Sequence, residues 1–94
     1  LAEAALRQAS VRDGAAILVI AAVYERATGK YGDRGVRYVH LEAGHAAQNV
    51  YLQAAALGLG AVAVGAFDDA EVGTVLGLDR EETALYLMPV GNPA

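Results

Sequence analysis

Cysteine and tryptophan are absent from this sequence of 94 residues, and proline occurs only twice. Without cysteine the chain has no disulfide framework, no thiol nucleophile and no thiolate ligand for a metal ion. Basic residues are also few, because seven lysines and arginines stand against eleven aspartates and glutamates, which gives a net charge of −4. This charge argues against nucleic acid or an anionic membrane surface as a partner.

Uncharged stretches that could cross a bilayer are missing as well. The run 14–24 is too short, and the run 43–67 is interrupted by polar residues and glycines. The sequence also shows no signal-peptide pattern. We therefore expect a cytoplasmic protein with no membrane partner. Hydrophobic residues nevertheless make up 55% of the chain. Many of them are alanines, which favour helix faces packed closely against other helices or a second subunit.

The segment 34–57 organises the rest of the sequence. Its apolar residues recur every three to four positions, which predicts one long helix with a buried stripe. Asp33 is the expected N-cap, and Gly58 suits the left-handed conformation that ends such a helix. At about 1.5 Å per residue the helix would span roughly 36 Å, so we expect it to be covered on more than one side. The stripe consists of Val36, Val39, Ala43, Ala46, Ala47, Val50, Ala54 and Leu57.

Shorter elements are predicted on both sides of this helix. Residues 1–10 form an amphipathic helix, residues 12–14 a turn, and residues 15–23 a strand buried on both faces. A loop or broken helical turn is expected at 24–35, and strands at 61–67 and 83–90. Between the last two strands lies a short helix with Asp68 and Asp69 at its N-terminus and Gly77 at its end.

These elements predict an α+β fold in which a small sheet packs on a long central helix. We expect residues 1–94 to form a single, partial domain. Three short strands and one long helix do not close a compact unit of this size. The domain is therefore expected to be completed by an N-terminal half or by a dimer partner.

Five motifs in residues 30–93, about two thirds of the chain, carry a family resemblance: KYG-x-RG-x-RY, E-x-GH-x-x-QN, A-x-x-LGLG, VG-x-FDD and PVGNP. This region resembles the C-terminal half of the nitroreductase-like flavoproteins. It is most similar to the branch that contains SagB-type and azoline dehydrogenases. The resemblance implies a nitroreductase-like fold and a homodimer that holds FMN at the subunit interface. It also implies hydride transfer through the flavin, from NAD(P)H or from a small-molecule or peptide substrate.

The same resemblance assigns cofactor contacts to Val64, Gly65, Ala66 and Phe67. Small residues at a strand end leave backbone N–H groups uncovered, so a flat ring can approach them. In the family this loop contacts the flavin ring through its backbone, and an amide near N5 tunes the reactive end. From the residues alone, a tight turn of small side chains is an equally complete explanation.

Lys30 and Tyr31 match a Lys-Tyr pair that supports proton transfer in the azoline dehydrogenases. An ammonium beside a phenol stabilises the phenolate, which makes proton transfer from the hydroxyl easier. The alternative is a solvated lysine next to a tyrosine packed on the surface. His40 and His45 are five residues apart, which does not place them on one helix face, and no metal site is expected.

Two hypotheses about function remain open at this point. In the first, the protein is an FMN-dependent oxidoreductase of which this chain is the C-terminal half. In the second, it is a flavin-free half-domain that dimerises through its long helix and acts as a structural or binding module. The family holds the FMN phosphate mainly through an arginine-rich motif near the N-terminus, for which this sequence has no counterpart. A phosphate without such donors is bound weakly.

Overall fold

The computed structural model describes Leu1 and residues 15–92. The helix expected at residues 1–10 lies, apart from Leu1, outside the described residues, as do the expected turn at 12–14 and the last residue of the PVGNP motif. The described elements follow one another as β1 (Ala16–Val23), α1 (Glu25–Tyr31), α2 (Arg34–Ala56), β2 (Gly60–Ala61), α3 (Asp69–Leu76) and β3 (Glu82–Gly91).

The strands form one antiparallel sheet in the order β1-β3-β2, with β3 at its centre. Val19 of β1 lies opposite Leu87 of β3, so the two side chains share a face of the sheet. The pairing of β1 with β3 shifts by one residue between Ile20 and Ala21 and leaves Leu85 unpaired as a bulge. The α+β fold with a small sheet and a long helix is therefore confirmed.

The core lies between this sheet and α3. Val64, Val72, Ala84 and Leu87 form its buried centre, and the partly buried Phe67 packs against them. Because Val72 and Leu87 are completely shielded from solvent, α3 and β3 are held together mainly by apolar contact. As expected, Asp68 caps α3 by accepting the N–H of Glu71 at 3.0 Å, and Gly77 ends the helix with a φ of 66°.

The prediction that β1 is buried on both faces is wrong. None of its eight residues is buried, and exposed positions alternate with half-buried ones over most of its length. The strand pairs with a neighbour on one edge only, and α3 covers the face that carries Val19. Leu18, on the opposite face, is 47% exposed, since the described residues leave that end of the face uncovered.

The long central helix and its end at Gly58, which has a φ of 73°, are confirmed. Capping by Asp33 is not confirmed, because the Asp33 side chain accepts no hydrogen bond and the φ and ψ of Asp33 are helical, at −60° and −26°. Backbone carbonyls take the place of the cap. Gly35 donates its N–H to the carbonyl of Gly32, and Val36 donates to that of Asp33, so these first-turn amides are already satisfied.

Two other segments differ from the sequence-based expectation. Most of the segment 24–35, expected as a loop or a broken helical turn, is the helix α1, and Gly32, with a φ of 62°, turns the chain from α1 into α2. The strand expected at 61–67 is reduced to Gly60–Ala61 and a single further bridge between Val64 and Leu87.

One side of α2 faces the rest of the described chain through Gly35, Ala43, Ala47 and Ala54, which are all buried. Large apolar side chains remain exposed elsewhere on this helix, so in the described residues it is covered on one side only. The exposed residues are Val36, Tyr38, Leu41 and Leu52. Among the described helices, none has an apolar stretch long enough to cross a bilayer.

Gly35 sets the distance between α1 and α2. A Cβ atom at this position would lie 2.7 Å from the carbonyl carbon of Ala27 and 2.7 Å from the amide nitrogen of Thr28. Both are backbone atoms of α1, so neither can rotate away. Only glycine allows the two helices to approach this closely.

We therefore predict that Gly35→Ala lowers the free energy of unfolding by about 1–3 kcal/mol, because it overpacks the contact between α1 and α2. Gly29→Ala is the matched control, since Gly29 is an exposed residue of α1 with no atom within 4 Å of the added Cβ. That control should stabilise the protein by up to about 1 kcal/mol through helix propensity. Urea unfolding of both variants measures the difference, and equal effects of the two substitutions would contradict the close contact.

Candidate functional site

Residues 62–67, here called the exit segment, carry the chain away from the sheet after β2. Val62 donates its N–H to the carbonyl of Pro89 at 3.3 Å, and Val64 donates to the carbonyl of Leu87 at 2.8 Å. Leu87 returns a bond to the carbonyl of Val64 at 3.0 Å. Pairing with β3 stops after this exchange, so the strand is shorter than its apolar sequence predicts.

Gly65 and Ala66 follow this last bridge and are both exposed. In the described part of the chain, the peptide N–H and C=O of Gly65 have no hydrogen-bond partner. A Cβ atom at Gly65 would lie 3.7 Å from Cε1 of Tyr86, which is ordinary van der Waals contact. The position therefore combines an unused, exposed backbone donor with the absence of a side chain, and these features fit the edge of a flat, hydrogen-bonding ring.

Val64 and Phe67 face the other way. Val64 is only 5% exposed and belongs to the buried core, while Phe67 packs against that core. The four residues that the family resemblance assigns to cofactor contact thus fall into two pairs. Val64 and Phe67, the first and last of the four, have side chains that anchor the segment in the core. Gly65 and Ala66, between them, are exposed.

Lys30 and Tyr31 lie at the end of α1 and are both exposed. The Nζ atom of Lys30 is 5.2 Å from the centre of the Tyr31 ring, within the range of a cation–π contact. The same ring meets the ring of Tyr38 on α2 edge to face, with the centroids 5.1 Å apart. The pair is therefore in contact, and Tyr38, which sequence reasoning did not select, supports it from α2.

Tyr31 also lines a groove of about 440 Å³ between β1, α1 and α2. Its walls are mainly apolar, with Ala21, Val39 and Ala43 among them, whereas Arg26 and Glu42 bring opposite charges to its lining. An apolar groove with a few polar groups is the usual form of a site for a small organic molecule. Arg26 belongs to none of the sequence motifs, and Glu42 is the first residue of the E-x-GH-x-x-QN motif. Their meeting in one groove has no signal in the sequence, because only the packing of α1 on α2 brings them together.

The two parts of the expected site, the groove at Tyr31 and the exposed Gly65, lie next to consecutive residues of β3. Leu85 lines the groove, and Tyr86 is the residue whose ring faces Gly65. The lining of the groove includes no residue of the exit segment among those described. The structure thus brings Lys30 and Tyr31 together but does not join them to Gly65 and Ala66 in one cavity.

Two tyrosine hydroxyls make contacts that sequence reasoning missed. The Tyr24 hydroxyl lies 2.8 Å from Nε2 of His40, and their rings meet edge to face. The Tyr51 hydroxyl accepts the N–H of Ala63 at 2.6 Å. Both pairs are more than ten residues apart in sequence, so no local pattern predicts them. Among the described residues, no group of three or more histidine, aspartate or glutamate side chains could hold a metal ion.

The sequence profile of the nitroreductase family matches residues 2–92. A protein of Methanocaldococcus jannaschii whose name assigns it to the nitroreductases is 57% identical over 92 residues, which are 98% of this chain and 46% of that protein. A nitroreductase-type crystal structure from Anabaena variabilis superposes on 99% of this chain with a TM-score of 0.91 and 36% identity, and this chain covers 19% of it.

An NADPH:FMN oxidoreductase from Vibrio harveyi, solved in complex with NAD+, superposes on 98% of this chain with a TM-score of 0.80 and 31% identity. This chain covers 44% of the Vibrio protein, so it spans less than half the length of each of these relatives. Sequence profile, identity and fold agree, and the chain belongs to the nitroreductase family.

Proposed function

We propose that the protein is an FMN-dependent oxidoreductase in which hydride passes through a flavin seated against the exit segment. The observation that carries this proposal is the exposed, unpaired backbone of Gly65 beside the small side chain of Ala66. Family membership supports it, because a relative of similar fold is an NADPH:FMN oxidoreductase. The flavin would supply the hydride chemistry, and the protein would supply binding and orientation.

Gly65 would hold the ring through its backbone, with the small side chain of Ala66 beside it. An exposed N–H at Gly65 can donate a hydrogen bond to an acceptor on the ring edge, and the absence of a side chain lets the ring come close. Val64 and Phe67 would contribute by keeping the segment in place from the core side. A preorganised donor of this kind stabilises charge that develops on the ring during reduction.

Lys30 and Tyr31 would handle the proton that accompanies hydride transfer. The Tyr31 hydroxyl is the group that would give or take this proton, and the Lys30 ammonium lies 5.2 Å from the centre of its ring. In the azoline dehydrogenases such a Lys-Tyr pair supports proton transfer, so we extend the proposal to that branch of the family. The substrate would then be a small molecule or peptide, with NAD(P)H as the alternative hydride donor.

The exposed apolar side chains of α2 support a homodimer as the working form. Leu41 and Leu52 are 54% and 60% exposed in the described chain, and apolar area of this kind is usually covered by other protein. A second subunit, or further chain of the kind that the longer relatives have, would cover it. The cytoplasmic location and the single-domain organisation expected from the sequence stay predictions.

Flavin content tests the proposal directly. The protein expressed from its complete gene should purify yellow, with an absorbance band at about 450 nm that is typical of flavins. Acid release followed by chromatography would identify FMN. A colourless protein that takes up no added FMN yet forms a stable dimer would instead support the second hypothesis, a flavin-free structural or binding module.

A graded series at Gly65 tests where the ring lies. Because a single Cβ meets only the Tyr86 ring at 3.7 Å, both Gly65→Ala and Gly65→Val should fold with a melting temperature near that of the wild type. We predict that Gly65→Val lowers FMN occupancy by about tenfold while Gly65→Ala has a smaller effect, since the branched side chain enters the space of the ring. Full FMN occupancy in the folded Gly65→Val variant would place the flavin elsewhere.

Removing the ammonium tests the proton-transfer role. We predict that Lys30→Ala lowers kcat by about 10²-fold with NADPH and a nitroaromatic acceptor, while FMN content is unchanged. Arg80→Ala is the control, because it removes the same charge from an exposed turn before β3 and should leave kcat unaltered. Loss of the flavin itself from Lys30→Ala would contradict the assigned role.

A further inference from the structure

The exit segment has a backbone amide that the sheet cannot satisfy. In an extended chain successive N–H groups point to opposite sides. Val62 and Val64 both direct their N–H groups to β3, so the N–H of Ala63 points away from the sheet. It reaches the hydroxyl of Tyr51 on α2 at 2.6 Å. This hydrogen bond holds the exit segment from the side opposite the sheet.

The hydrogen bond between Ala63 and Tyr51 is partly shielded from solvent. Tyr51 and Ala63 are both partly buried, so water has limited access to the amide if the hydroxyl is lost. A partly buried donor without an acceptor is destabilised, and the backbone is expected to shift toward another acceptor or toward solvent. Ala63 is only two residues before Gly65, so such a shift would move the exposed backbone donor with it.

We infer that Tyr51 is a positioning residue for flavin binding, acting through Ala63 on Gly65 and Ala66; this inference rests on the proposed function. The sheet holds Val62 and Val64 from one side, and the Tyr51 hydroxyl holds Ala63 from the other. Because hydrogen-bond strength falls steeply with distance and angle, this two-sided restraint fixes the direction of the Gly65 N–H. Tyr51 itself need not touch the flavin.

Tyr24 offers a matched comparison within the same protein. Its hydroxyl also makes one hydrogen bond to α2, at 2.8 Å from Nε2 of His40, but it lies at the end of β1 and has no bond to the exit segment. Tyr51→Phe and Tyr24→Phe therefore delete the same atom and one hydrogen bond each, the first partly buried and to the backbone, the second exposed and to a side chain. A general loss of stability affects both variants, whereas a positioning effect belongs to Tyr51→Phe alone.

The experiment compares both variants with the wild type, each expressed from the complete gene and titrated with FMN. Tyr51→Phe should raise the FMN dissociation constant by about five- to tenfold, in line with the loss of one hydrogen bond. It should also change the flavin midpoint potential and speed the hydrogen exchange of the Ala63 amide in a ¹⁵N spectrum. Tyr24→Phe should leave all three close to wild type.

The outcomes separate this inference from the proposed function. If the wild type binds FMN and Tyr51→Phe matches it in affinity and potential, the inference is wrong and the proposed function stands. If the two variants weaken FMN binding equally, Tyr51 has a structural role only and the inference is again wrong. If the wild type itself takes up no FMN, the proposed function fails and the inference fails with it.

Discussion

The pair of hydrogen bonds between Val64 and Leu87 is the constraint on which the candidate site depends. Leu87 is completely buried at the centre of β3, and Val64 joins it in the same core. The last point of sheet pairing is thus also a point of tight apolar packing. Because the chain is held there by both backbone and side chain, the next residue, Gly65, has little freedom in where it emerges.

The core also explains why Gly65 emerges on the outside. Val64 and Phe67 bury their side chains toward α3, and the two residues between them have almost no side chain to bury. Folding therefore places apolar anchors inside and leaves the small residues accessible, without any requirement for a ligand. If a flavin binds here as proposed, the surface is formed before the cofactor arrives, and binding through backbone groups needs this preorganisation.

The other half of the site depends on a different contact. Lys30 and Tyr31 are carried by α1, a helix of seven residues with no buried side chain of its own. A helix this short is held by its neighbours and not by its own propensity. Its contact with α2 at Gly35, where backbone meets backbone, supplies that support. Tyr38 adds a ring contact from the same helix, so α2 sets the position of the Lys30–Tyr31 pair.

The sequence predicts the elements whose signals are local. The length of α2, the glycine at its end and the Asp68 cap all follow from spacing and residue type, and each is found in the structure. The predicted buried stripe of α2 is found only in part, because Ala43, Ala47 and Ala54 are buried whereas Val36 and Leu57 are exposed. The errors arise where another contact overrides the local signal. Asp33 is not a cap because backbone carbonyls already accept the amides. Residues 61–67 leave the sheet after the bridge between Val64 and Leu87, and Phe67 packs against the core that α3 completes.

The same distinction applies to the site. The family resemblance pointed to the four residues around Gly65 and to Lys30 and Tyr31, but it could not say which side chains face outward. Charge adds a further limit, because in the described part of the chain the cations beside the candidate site are Lys30 at the Tyr31 ring and Arg26 in the groove, and neither is shown beside Gly65. If FMN binds as proposed, Gly65 and Ala66 lie against the ring, and the phosphate needs cationic donors from elsewhere in the protein. Loss of ring contact and loss of phosphate contact should then be separable, since ring contacts control the redox behaviour of the flavin and phosphate contacts mainly its affinity.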